Sequence, residues 1–146
     1  HWSATLIWLK NSLVLTPADY QRKYEPIFYG WQEGKEHKHP PDRTQTEVWS
    51  VNRPSISVEH PTMKPLELIT RAITNSSEIG DKILDLFGGS GSTLIACQQT
   101  DRNCFMMEID PRYCEIICQR WEKYTGQKRK LVKNCETPCI QEKSPS

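Results

Sequence analysis

The sequence predicts an α/β fold with parallel strands, and two observations favour it. Over residues 60–126 the patterns follow the order helix, strand, helix, strand, helix, which is typical of parallel strands joined by helices. A glycine-rich turn, Gly88–Gly91, stands between the first of these strands and the helix after it. The chain has 146 residues, the length of one domain or of part of one, and its start at His1 indicates a piece of a longer protein.

The first helix of this block is predicted after Pro65, because the missing N–H of a proline would be unpaired at a helix start in any case. Leu66, Ile69 and Ile73 then recur at helical spacing. The remaining predicted elements, in order, are a strand at Lys82–Phe87, a helix near Ser92–Gln99, a strand at Cys104–Ile109 and a helix that ends at Gly126.

The stretches on either side of this block have a different character. Residues 1–31 contain two apolar, aromatic-rich runs, Thr5–Leu9 and Pro26–Trp31, which predict two strands. Residues 32–59 are polar and predict a long loop, and such loops in compact domains are usually functional or mobile. Residues 127–146 are polar and predict a solvated tail.

The composition and the distribution of apolar residues argue against a membrane-spanning protein and against a secreted one. Nineteen basic against eighteen acidic residues leave a net charge of +1, so DNA contacts would have to come from local basic clusters. No apolar run approaches the ~18–20 residues of a membrane-spanning helix, and the first residues do not resemble a signal peptide. We therefore expect no membrane partner, a cytoplasmic location and reduced thiols for the six cysteines.

The strongest local signal is the segment Asp85–Thr93, in which a strand ends in a glycine turn that opens a helix. Glycines allow a ligand to approach the backbone, and the start of a helix offers unpaired N–H groups. Ligands of open parallel sheets bind at the carboxyl ends of the strands. Glu108 ends the next strand, where its carboxylate can accept both hydroxyls of a ribose. Together these features predict a nucleoside site rather than a purely structural turn.

The residues of the turn distinguish between nucleoside cofactors. A dinucleotide fingerprint requires glycine where Leu94 stands, and a phosphate-binding Walker loop requires lysine where Ser92 stands. Asp85 would repel a phosphate but attract an ammonium group. S-adenosylmethionine carries an ammonium and no phosphate, so it is the predicted cofactor, with a nicotinamide enzyme as the weaker enzymatic alternative.

The chain carries three ordered motifs: His60–Leu66, Asp85–Thr93 and Glu108–Tyr113. They resemble those of the prokaryotic and phage DNA methyltransferases that methylate adenine N6 or cytosine N4, in the class whose catalytic motif precedes the cofactor motifs. The resemblance covers roughly residues 1–126. It implies a partial Rossmann-like S-adenosylmethionine-dependent methyltransferase fold, in which 1–31 is an edge hairpin, 60–126 is the cofactor-binding half and the central strands lie outside this chain.

The resemblance also implies a set of cofactor contacts. Glu108 would bind the ribose hydroxyls, and Phe87 would pack near the sulfonium, because an aromatic face attracts a cation. The remaining residues would surround the methionine portion. The implied cofactor-binding residues are Lys64, Pro65, Asp85, Phe87, Gly88, Gly89, Ser90, Gly91, Thr93 and Glu108.

Double-stranded DNA is the partner that the resemblance implies. The family uses the polar loop for target recognition, so its implied DNA contacts are Lys35, His37, Lys38 and Arg43. A homodimer is left open. The implied function is that of a fragment of a site-specific, restriction-modification type methyltransferase, transferring a methyl group to adenine N6 or cytosine N4.

One family motif is absent. The catalytic motif is Asp or Ser, then Pro-Pro, then an aromatic residue, whereas Pro40–Pro41 is followed by Asp42. By the resemblance the motif lies upstream of His1. The sequence therefore predicts no catalytic residue in this chain, no activity of the chain alone, and the upstream catalytic half of the same protein as a partner.

The cysteines offer an alternative from another class, a zinc-binding or DNA-binding module without catalysis. Cys114 and Cys118, like Cys135 and Cys139, have a spacing found among metal ligands. The first pair, however, lies beside the apolar face of the last predicted helix, where buried free cysteines are common. We therefore expect no metal site.

Overall fold

The computed structural model describes residues 1–53 and 63–132. Its first sheet has three strands: β1 (Trp2–Val14), β2 (Arg22–Gly30) and β3 (Val48–Ser50). The strand order is β2-β1-β3, in which β1 pairs antiparallel with β2 and parallel with β3. The end of the polar loop (54–59), the start of the first motif (60–62) and the tail beyond residue 132 lie outside the described residues.

The second part of the described chain alternates helices and strands, as the sequence predicts. Two parallel strands, β4 and β5, form a separate sheet, and three helices accompany them. In chain order these elements are α1 (Leu66–Ser76), β4 (Lys82–Asp85), α2 (Ser92–Gln99), β5 (Asn103–Met106) and α3 (Pro111–Thr125).

Most element boundaries differ from the predicted ones by a few residues. Helix α1 begins directly after Pro65, and α3 ends at Gly126, whose φ of 71° is the left-handed conformation that glycine adopts without strain. Strands β1 and β2 extend beyond their predicted apolar runs, because the ladder between them continues through Glu25 and, after an irregularity between Leu9 and Val14, through Arg22.

The prediction of one uninterrupted loop over residues 32–59 is wrong, since β3 lies within it. Trp49 of β3 is buried, whereas its neighbours Val48 and Ser50 are exposed. Three residues are too few to establish a strand period in the sequence. Their conformation comes from pairing with β1 at Ile7–Leu9, about forty residues away.

Helix α1 joins two small cores. On one side Leu68 packs with Trp8, Trp49 and Val51, which connects the helix to the first sheet. On the other side Ile73 packs with buried residues of α2, and Ile83 of β4 and Cys104 of β5 pack against that cluster. The two sheets are therefore held together through one helix rather than through a shared strand.

The second sheet is covered on one face only. Leu84 of β4 and Phe105 of β5 are register partners, and 65% and 52% of their surfaces remain exposed on the face turned away from the helices. Among the described strands only β5 pairs with β4. This division into two sheets agrees with the predicted partial fold that lacks its central strands.

No helix in the described part of the chain has the length and apolar character needed to cross a membrane.

Candidate functional site

A cleft of about 380 Å³ opens where β4 and β5 end. Eight of the ten predicted cofactor-binding residues line it: Lys64, Asp85, Phe87, Gly88, Gly89, Ser90, Thr93 and Glu108. Ile69, Ser92 and Tyr113 complete the lining, although the sequence analysis assigned them no contact with a ligand. The two remaining predicted residues, Pro65 and Gly91, are buried and do not line the cleft.

The glycine turn lies close against the strand and helix behind it. Gly88 N–H donates to the carbonyl of Met107, and a Cβ on Gly88 would lie 2.7 Å from the Sδ of Met106. Gly91 has a φ of 77° and precedes α2, so a side chain there would strain the backbone. Gly88 therefore lines the cleft and packs closely against Met106, Gly91 is favoured by its backbone conformation, and Gly89 lines the cleft.

Glu108 is fixed by two backbone donors. Its Oε1 accepts the N–H of Asp110 at 2.9 Å, and its Oε2 accepts the N–H of Gly89 at 2.7 Å. These bonds, first that from Asp110 and then that from Gly89, lower the pKa of Glu108 below its usual value. The carboxylate is therefore charged at neutral pH and retains free lone pairs for further donors, such as the hydroxyls of a ribose.

Asp85 and Phe87 form the rim of the cleft beside the turn. Asp85 Oδ1 accepts the N–H of Phe87 at 3.0 Å, so the carboxylate stays close to the strand end. The residue Phe87 is 87% exposed. An exposed aromatic face next to a carboxylate is a suitable environment for a ligand that carries positive charge.

Lys64, which lines the cleft, belongs to a charged cluster that no motif in the sequence indicates. The carboxylate of Glu25 on β2 pairs with Lys64 at 2.5 Å and with the buried Lys10 of β1 at 2.6 Å. Partial burial acts to raise the pKa of Glu25, but the hydrogen bonds from the two lysines bring it below its usual value. Both ammonium groups also lie near the ring of Trp8, at 5.0 and 5.3 Å from its centroid. The first sheet therefore sets the position of one wall of the cleft.

The four predicted DNA contacts differ in their surroundings, and none of them lines the cleft. Lys35 and Arg43 are exposed. The ring of His37 stacks on Trp31 with 3.5 Å between centroids. Lys38 donates to the carbonyl of Ser77 at 2.6 Å and pairs with Glu78, so its ammonium is engaged just beyond the end of α1.

The zinc-module alternative finds no support in the described residues, which contain no group of three or more potential metal ligands. Cys114 and Cys118 lie one turn apart on α3 as free thiols. Cys135 and Cys139 lie outside the described residues.

Comparison with known proteins connects this cleft to a family. A family model described as DNA methylase, of the N6/N4 type, matches residues 6–119. The chain belongs to this DNA methylase family. It is 36% identical over 99 residues to the type II methyltransferase M.Cfr9I of Citrobacter freundii, covering 67% of this chain and 33% of that protein. It is also 35% identical over 115 residues to M.XycI of Xanthomonas campestris pv. cyanopsidis, covering 76% and 36%. The chain thus spans about a third of the length of these curated relatives.

Solved structures of similar shape confirm the predicted fold class of the chain. The M1.HpyAVI–SAM complex matches with a TM-score of 0.70 at 23% identity, over 82% of this chain and 62% of that one. The cytosine-N4-specific PvuII DNA methyltransferase matches with a TM-score of 0.67 at 17% identity, over 80% and 50%. At such identities the likeness establishes the fold alone.

Proposed function

We propose that this chain is the cofactor-binding part of a site-specific DNA methyltransferase that transfers a methyl group from S-adenosylmethionine to adenine N6 or cytosine N4. The observation that carries the proposal is the cleft at the ends of β4 and β5, which gathers the glycine turn, Asp85 and Glu108. The type II methyltransferases among its relatives support the reaction class.

The residues of the cleft fit the proposed cofactor by their chemistry. Glu108 offers charged acceptors for two ribose hydroxyls, and Asp85 offers a carboxylate for the ammonium of the methionine end. Phe87 offers an exposed ring for the sulfonium. When bound, S-adenosylmethionine supplies the activated methyl group. The solved complex of M1.HpyAVI with this cofactor supports the assignment.

We further propose that the catalytic motif belongs to a segment upstream of His1. Within the 146 residues the one Pro-Pro pair is followed by Asp42 rather than by an aromatic residue. Asp42 accepts hydrogen bonds from the backbone N–H and the hydroxyl of Thr44 in an exposed turn, and none of these residues lines the cleft. The greater length of the relatives agrees with a missing segment.

Calorimetry on the full-length protein, with its upstream segment, tests the cofactor assignment. S-adenosylmethionine should bind, S-adenosylhomocysteine should compete for the same site, and NAD should give no heat of binding. The reason is that Asp85 at the turn repels the pyrophosphate of NAD but attracts the cofactor's ammonium. Tight binding of NAD without binding of S-adenosylmethionine would contradict the proposal.

The exposed part of the polar loop is the proposed DNA contact, and its residues should not behave alike. Replacing Lys35 and Arg43 by glutamine removes two exposed charges. DNA binding should weaken, and the slope of log affinity against log salt should fall by about 2. Lys38→Gln should instead lower thermal stability, because its ammonium bonds to the Ser77 carbonyl.

Binding of a cognate duplex at several salt concentrations measures the slope, and Lys123→Gln, which removes an exposed charge from α3, is the matched control. Cofactor affinity should stay the same in all these variants. If the double variant binds DNA as the unmodified protein does, the loop is a connector and not a DNA contact.

A further inference from the structure

An arginine of α3 lies against the glycine turn, although no motif in the sequence singles it out. Nη1 of Arg120 donates to the carbonyl oxygen of Ser90 at 2.9 Å. The same nitrogen lies 3.3 Å from the hydroxyl of Ser92 and 3.5 Å from that of Ser90. Arg120 thus contacts Ser90 of the turn and Ser92 at the start of α2, and both serines line the cleft.

The surroundings of Arg120 are unusual for a cation. Its side chain is partly buried, and within residues 1–53 and 63–132 no carboxylate forms an ion pair with it. It also lies beside the first residue of α2, where the helix dipole already contributes partial positive charge. Burial of a cation without an anionic partner is costly. Packing of α3 alone would be served as well by an apolar side chain, so the contact with the turn is the feature to be explained.

The contacts of Arg120 continue to Lys64, another residue that lines the cleft. The hydroxyls of Ser90 and Ser92 lie 3.2 Å apart, and the Ser92 hydroxyl donates to the backbone carbonyl of Lys64 at 3.2 Å. One guanidinium therefore connects the glycine turn with the segment that carries Lys64. Glu108 is held separately, by the N–H groups of Gly89 and Asp110.

We propose that Arg120 is a positioning residue that fixes the end of the cleft where the amino-acid portion of the cofactor binds. It acts through the Ser90 carbonyl and the Ser92 hydroxyl and does not touch the ligand. The inference rests on the proposed function, because it assumes that S-adenosylmethionine occupies the cleft. It separates two halves of the site: the Arg120 network sets the amino-acid end, and Glu108 sets the ribose end.

Two ligands that differ only at the amino-acid end test this division in the full-length protein. S-adenosylhomocysteine has the nucleoside, the thioether and the amino acid, whereas 5′-methylthioadenosine lacks the amino and carboxyl groups. Arg120→Met should weaken the binding of S-adenosylhomocysteine about tenfold, because the Ser90 carbonyl and the Ser92 hydroxyl lose the charged donor that holds them in place. The binding of methylthioadenosine should change by less than about threefold. Lys123→Met, which removes an exposed cation from the same helix, should affect neither ligand.

Rescue by a conservative variant completes the test. Arg120→Lys keeps one charged donor within reach of the Ser90 carbonyl and should recover most of the affinity for S-adenosylhomocysteine. Equal weakening of both ligands by Arg120→Met, or no weakening of either, would overturn the inference. Failure of the unmodified protein to bind S-adenosylhomocysteine would instead overturn the proposed function, so the two failures are distinguishable.

Discussion

Replacing Glu108 with alanine should weaken the binding of S-adenosylmethionine about tenfold or more, because two ribose hydroxyls lose a charged acceptor. The substitution also leaves the N–H groups of Gly89 and Asp110 without their present partner. Calorimetric titration of the folded variant measures the loss. Glu115→Ala, which removes a carboxylate from the exposed side of α3, is the matched control and should leave the affinity unchanged.

A cofactor analogue separates the ribose contact from a general effect on the turn. S-adenosylhomocysteine with a 2′-deoxyribose lacks one of the two hydroxyls assigned to Glu108. It should bind the unmodified protein more weakly than S-adenosylhomocysteine does, whereas the two ligands should bind Glu108→Ala nearly alike, since the interaction is already lost. If the deoxy analogue is weakened equally in both proteins, Glu108 does not hold the ribose.

The pH dependence of binding has a definite sign. The N–H groups of Asp110 and Gly89 lower the pKa of Glu108 below its usual value of 4.5. The carboxylate form accepts the ribose hydroxyls, so its contribution to affinity should persist from neutral pH down through the usual carboxyl range. It should be lost only as the pH falls through the lowered pKa. The Glu108→Ala variant should lack this acidic decline.

The sequence predicts those parts of the structure that depend on residues close to one another along the chain. The glycine turn, the start of α2 directly after it and the end of α3 at Gly126 follow from glycines in the local sequence. Glu108 was identifiable because it lies just after the end of β5, and parallel strands bring such ends to one edge.

The missed parts depend on contacts between distant segments. Strand β3 exists through pairing with β1, Lys64 is held by Glu25 from 39 residues away, and Arg120 reaches Ser90 across 30 residues. The last two contacts are made by common polar or charged residues whose type carries no positional signal. Strands β1 and β3 also share a core with α1, in which Trp8 and Trp49 pack with Leu68.

The chain of residues 1–146 alone should fold poorly as a monomer and should not methylate DNA. Its two sheets share no strand, and β4 has β5 as its one partner among the described strands. Leu84, Leu86 and Phe87 are exposed along this strand and the turn that follows, with 65%, 51% and 87% of their surfaces accessible. An apolar strand with an unpaired edge favours aggregation or pairing with another chain. The strand that carries the catalytic motif in the resembled family is the partner that we expect there.

Adding the upstream segment, covalently or as a separate chain, should restore both a cooperative thermal transition and methyl transfer to DNA. Thermal unfolding and transfer of a labelled methyl group, measured with and without that segment, test the two effects in parallel. The double variant Leu84→Thr, Phe105→Thr of the lone chain is an informative control. It reduces the exposed apolar face, so it should diminish aggregation without producing activity, because solubility does not supply a catalytic motif.

Cooperative unfolding of the lone chain as a monomer, together with methylation of DNA, would show that the catalytic motif does not lie upstream. Pro40–Pro41 and Asp42 would then have to act as a divergent catalytic loop, although they do not line the cleft at the ends of β4 and β5.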